Sequence, residues 1–151
     1  MVLTFLVVAP AVLGLVALAI RNVRIGLAIL LGTAAAHLLA VASLWTGAAT
    51  SDPDALLRID VTGLLFLSVT SLLFLAASLY TVPYLLQGTH DTQAAPRRFV
   101  PCLLWFLSAM TLVTATQNLA LMWAAVEGTT LASAPLAVSY THLTLPTIYS
   151  V

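Results

Sequence analysis

Five long stretches of this chain share a single ionised side chain. They are Met1–Ile20, Ile25–Gly47, Val61–Gln87, Phe99–Thr116 and Leu119–Ala137, and the one charge is Glu127. About 20 consecutive apolar residues in helical form cross the hydrocarbon of a bilayer. In lipid, backbone N–H and C=O groups must find partners inside the protein. The stretches are apolar on both faces, which excludes the in–out alternation of an outer-membrane strand. Helix is what remains. The composition agrees: 62% of residues are hydrophobic and 7% are charged, against about 25% charged in a soluble domain. The expected fold is all-α, a polytopic transmembrane helix bundle of about five spanning helices.

The placement of the few charges predicts an orientation. All five basic residues are arginines. Arg21 and Arg24 follow the first stretch, Arg97 and Arg98 follow the third, and Arg58 alone faces Asp52, Asp54 and Asp60 in the linker between the second and third. Positively charged connections stay in the cytoplasm, so the N-terminus and the linker "TGAATSDPDALLRID" are expected outside. Asp52-Pro53-Asp54 is a turn signal, and "ALLRIDV" is read as a short strand or an amphipathic patch. "QGTHDTQAAPRR", with His90 and Asp91, reads as a solvated cytoplasmic connector. The first stretch lacks a basic region ahead of it, which favours a retained helix over a cleaved leader.

Several function classes drop out. Zero net charge leaves no basic footprint for nucleic acid. Cys102 is the only cysteine, so there is no intrachain disulfide or cysteine metal cluster, and it is expected to be a small buried residue. There is no Gly-rich phosphate loop, zinc-spaced His/Cys set or nucleophile motif. Soluble-type catalysis on this chain is not expected.

Glu127 is the informative residue. It lies near the middle of Leu119–Ala137, where an ionised group costs about 2.5–3.5 kcal/mol on insertion scales. Water at either helix end is about two or three turns away, beyond a glutamate's reach. The side chain is therefore expected to face other helices or a hydrated cavity, either neutral or paired with a cation. A carboxyl held between burial, which favours the neutral form, and a cation, which favours the charged one, can gain and lose a proton. Gly128, Thr129, Thr130, Ala132, Ser133 and Ala134 are small or hydroxylated, as close helix packing requires. Thr129, Thr130 and Ser133 are the expected supporting polar groups. The alternative is one tolerated polar residue, neutral and bonded to a neighbour. His37, midway along Ile25–Gly47, is the other titratable group at depth. It reads either as a second proton-relay member or as a helix-packing hydrogen bond.

The C-terminal "VSYTHLTLPTIYSV" resembles a translated sequencing-library adapter. Val138–Thr147 back-translates, codon by codon, into a transposase mosaic end and its adjoining adapter. Ile148, Tyr149 and Ser150 would span the last adapter base and a sample index. The next adapter bases encode valine and then stop, matching Val151. On this reading residues 1–137 are native, 138–151 are not, and the gene continues past Ala137. The alternative is a native polar tail of unusual composition.

"QNLALMWAAVEGTTLASAPL" resembles the fifth helix of the antiporter-like membrane subunits found in respiratory complex I, Mrp cation/proton antiporters and group 4 hydrogenases. That family places an aromatic residue, a few apolar residues, a key glutamate and then small and hydroxylated residues in this order. Trp123, Glu127, Thr129, Thr130 and Ser133 take those places. "VEGTTLASAPL" is most similar to the hydrogenase-4 component F branch. "LLRIDVTGLLFLSVTSLLFLAASLYTVPYL" is similar to the start of the family's third helix, with Asp60, Tyr80 and Tyr84 in matching places. The resemblance covers about residues 1–137, and its specific part about 45 of them. Gly128 replaces an apolar or alanine neighbour of the family glutamate, and Pro135 follows one to two turns later.

The resemblance implies a subunit of about fourteen helices with two inverted five-helix repeats, each contributing to a proton half-channel. It implies that Glu127 works with a lysine on a later helix, outside this chain. Redox chemistry would belong to other subunits, so this chain would need no metal or other cofactor and would not be catalytic alone. The implied setting is a bacterial or archaeal inner membrane, multi-pass with the N-terminus outside. The implied partners are the membrane subunits of a hydrogenase or quinone-reductase complex. The expected function is thus an N-terminal fragment of a proton-translocating subunit of a hydrogenase-4 or complex I-type oxidoreductase. The alternatives are an Mrp-type antiporter subunit and a non-transporting membrane scaffold.

Overall fold

The computed structural model describes residues 1–47, 56–87 and 94–144. The predicted Asp52-Pro53-Asp54 turn and the His90 and Asp91 connector lie outside the described residues, as do the side chains from residue 138 onward. Five helices follow in order: α1 Val2–Ala19, α2 Val23–Trp45, α3 Val61–Gln87, α4 Ala94–Ala115 and α5 Leu119–Thr144. Each contains a stretch long and apolar enough to cross a membrane. The all-α expectation holds, and the chain has the build of a multi-pass membrane protein.

Helix starts follow local chemistry. Asn22 caps α2, its side chain accepting from Arg24 N at 3.0 Å. Asp60 does the same for α3: Gly63 N donates to its Oδ1 at 2.8 Å, and Leu64 N donates to its carbonyl at 2.9 Å. Such caps satisfy N–H groups that a helix leaves unpaired. Asn118 Oδ1 accepts from Ala120 N and Leu121 N at the start of α5. Two boundaries differ from the sequence reading. α4 begins at Ala94 rather than Phe99, because a helix need not stop where its apolar run stops. α5 runs on to Thr144 rather than ending at Ala137; Pro135 removes one N–H but does not end it.

α4 is the axis of the bundle, in contact with each of the other four helices. Its seam with α1 is tight. Leu3, Leu6, Pro10, Gly14 and Ala17 form the buried stripe of α1. A Cβ at Gly14 would lie 2.5 Å from Trp105 Nε1, so the absence of a side chain is what admits the indole. That ring donates to Ala11 O at 3.2 Å. One turn before Pro10, where a proline weakens the helix's own bonding, Ser108 Oγ donates to Val7 O at 2.7 Å. In lipid, where apolar burial between helices gains little, close packing and such bonds hold helices together.

Two apolar clusters fill the bundle. One gathers Leu3, Leu6, Val41, Leu44, Leu67 and Ala115. The other gathers Ala17, Leu27, Leu30, Ala34, Phe74, Leu85, Val100, Leu104 and Leu107. At the first cluster's end the α2–α3 connection docks on the α4–α5 joint. Leu57 and Thr116 form an isolated antiparallel bridge, and Arg58 N donates to Ala115 O at 2.8 Å. The segment "ALLRIDV", read as a short strand or an amphipathic patch, contributes one bridged residue, Leu57. At the other end the α1–α2 turn, with Arg21, lies beside Val100 of α4. Arg21 and Arg24 therefore share an end with Arg98, opposite Arg58 and Asp60.

Candidate functional site

His37 and Glu127 lie at mid-depth along their helices, in contrasting surroundings. His37 is buried, 4% exposed. Its position on α2 falls between Ala34 of one apolar cluster and Val41 of the other. Ser71 on α3 lies likewise between Phe74 and Leu67, and Thr111 on α4 between Leu107 and Ala115. The three meet at the boundary of the clusters. His37 Nδ1 is 2.9 Å from Ser71 Oγ and Nε2 is 3.0 Å from Thr111 Oγ1. Each hydroxyl also donates back along its own helix, Ser71 to Leu67 O at 2.8 Å and Thr111 to Leu107 O at 2.7 Å. Such back-bonds let hydroxyls sit in an apolar interior. Ser78 and Thr81 use them as well. An apolar cleft of about 250 Å³ between α1 and α2, lined among others by Leu6, Pro10 and Thr33, reaches His37.

Glu127 stands on the far side of α4. α5 packs against α4 alone among the described helices. Ala125 and Ala132 are buried in that contact, and a Cβ on Gly128 would lie 3.5 Å from Ala109 Cβ. Glu127 is one residue round from this stripe and is exposed. Trp123, one turn earlier on the same face, is 71% exposed. The Gly128–Ala109 contact fixes the depth of Glu127. Thr111 is two residues past Ala109, about 3 Å along the helix, so Glu127 and the His37 cluster lie at nearly one level with α4 between them. Between α4 and α5 a recess of about 280 Å³ is lined by Ser108, Ala109, Ala125 and Gly128, among others.

The predicted supporting groups do not turn toward the carboxylate. Thr129 Oγ1 donates to Val126 O at 2.6 Å, Thr130 Oγ1 to Glu127 O at 2.7 Å, and Ser133 Oγ to Thr130 O at 3.0 Å. All three hydroxyls are engaged by carbonyls of their own helix. Glu127 and His37 are not brought together. Ser71 and Thr111 escaped the sequence reading. A hydroxyl on a buried helical stripe is visible in sequence, but which histidine it meets across helices is not.

Asp60 acts as the cap of α3. Tyr80 is exposed, and the half-buried Tyr84 ring lies 6.2 Å from that of Phe99. Cys102 is buried, as expected of a small core residue. Among the described residues no three His, Cys, Asp or Glu side chains gather as metal ligands. Compared with known protein families, with curated proteins and with solved structures, the chain finds no match.

Proposed function

We propose that this chain is the N-terminal part of a proton-translocating membrane subunit of a hydrogenase-4 or complex I-type oxidoreductase, with Glu127 as its relay carboxylate. One observation carries the reading. The only carboxylate in any of the five spans sits at mid-depth on a helix face that no other described helix covers. A carboxylate left against lipid is costly, so that face is suited to further helices or a hydrated path. Trp123 shares the face and offers an amphipathic ring beside it. A cation supplied by a covering helix would set how readily Glu127 holds its proton. The arginine-bearing end would lie in the cytoplasm of a bacterial or archaeal cell and the N-terminus outside. Membrane subunits of a redox complex would be the neighbours.

Proton movement driven by the intact complex in sealed vesicles, followed with a pH-sensitive dye, tests the proposal. Glu127→Gln keeps the shape and removes the titration. Loss of coupled proton movement is the expected result. Unchanged movement with an unchanged pH profile sinks the relay reading and leaves a scaffold. An Mrp-type antiporter subunit would show the same loss without any redox partner.

A further inference from the structure

The contacts around His37 require more protons than a neutral ring supplies. Four contacts lie within hydrogen-bond distance: ring to Ser71, ring to Thr111, Ser71 to Leu67 O and Thr111 to Leu107 O. Each hydroxyl has one proton and a neutral imidazole has one N–H. Three protons cannot serve four bonds at once.

We infer that His37, Ser71 and Thr111 form a two-tautomer site, in which the neutral imidazole holds its N–H toward either hydroxyl. In one state Nδ1–H donates to Ser71, which keeps its bond to Leu67 O. Thr111 then turns its proton from Leu107 O to Nε2. In the other state Nε2–H donates to Thr111, which keeps its bond to Leu107 O, and Ser71 turns its proton to Nδ1. The two states differ in which ring nitrogen carries the proton, and the charge of the site is the same in both. Each state leaves one helix carbonyl without its extra bond, on α4 in the first and on α3 in the second. The two states are chemically matched, a hydroxyl and an i−4 carbonyl on either side, so neither is favoured by partner type.

The surroundings suit a neutral ring. Ser71 faces it from α3 and Thr111 from α4, and the adjoining cleft presents Leu6 and Pro10 from α1. The ionisable side chains on these helices lie well along them. Arg24 is at the start of α2, Asp60 precedes α3, and Tyr80 is nine residues past Ser71, with Tyr84 further on. Cys102 is nine residues before Thr111, with Arg98 beyond it; nine residues span about 13 Å of helix. Glu127 lies across α4. The site's meaning for proton transfer rests on the function proposed above, but its chemistry does not involve Glu127.

The test is 15N NMR of the full chain in lipid bilayers, with labelled histidine in a His90→Gln/His142→Gln background that leaves His37 as the one imidazole. The unaltered site should show both neutral tautomers. Ser71→Ala should drive the ring to the Nε2–H form, because that form keeps both bonds on the α4 side and buries no orphan N–H. Thr111→Val should drive it to the Nδ1–H form. Both changes are near-isosteric, and helix content by circular dichroism verifies the fold. One tautomer common to all three proteins overturns the inference. So does a ring protonated on both nitrogens at neutral pH, since no bond would then be lacking. Neither result bears on Glu127→Gln, so the two readings fail separately.

Discussion

His37 and Glu127 lie at nearly the same depth on opposite sides of α4, yet one is enclosed and the other is bare. His37 has a hydroxyl on each ring nitrogen, and three helices close around it. Glu127 projects from a helix with a single neighbour, beside hydroxyls already engaged by their own backbone. The enclosed group is complete within these five helices. The bare one is not: no other described helix covers its face, and on the function proposed above its partners would come from a covering helix.

The sharpest way to break this contrast is functional. On the function proposed above, Glu127→Gln in the intact complex should reduce coupled proton movement more than tenfold, while His37→Gln, which keeps a hydrogen-bonding side chain beside the hydroxyls, should reduce it less. Equal loss from both would erase the distinction. Stability should rank the two residues the other way. His37→Ala removes two interhelical bonds and leaves a void, at a cost of about 2–4 kcal/mol in unfolding from detergent. Glu127→Ala should stay within about 0.5 kcal/mol in the same measurement, because nothing described here packs on it.

The two seams of α4 sharpen the picture next. Gly14→Ala forces a Cβ into the Trp105 ring, which is pinned by its bond to Ala11 O. It should cost about 1–3 kcal/mol. Gly128→Ala meets Ala109 at an ordinary contact distance, and with the better helix propensity of alanine it should be neutral or stabilising by up to about 1 kcal/mol. The smallest effects belong to Thr129→Ala, Thr130→Ala and Ser133→Ala. Each loses only a bond to its own helix, so thermal unfolding should move by less than about 0.5 kcal/mol. A larger loss at Thr130 than at its neighbours would show that its hydroxyl serves Glu127 rather than the backbone.

The five helices were legible because charge is so scarce: a stretch such as Val61–Gln87, lacking any ionised group, has one structure open to it in lipid. The ends were less so. Phe99 marks where apolarity begins in α4, but backbone bonding begins at Ala94, and sequence apolarity records only the first. Glu127 stood out as the lone charge in a span. Ser71 and Thr111 did not, because each resembles the other buried hydroxyls of its helix, and only the crossing of α2, α3 and α4 selects them. The openness around Glu127 was also hidden, since the sequence says that a charge must be covered but not by which helix.

The bridge between Leu57 and Thr116 has a mechanical consequence. It clasps the lead-in to α3 to the end of α4 at one rim of the bundle. Helices fastened at one rim pivot there, so a given tilt of α3 against α4 displaces the clasped rim least and the arginine rim most.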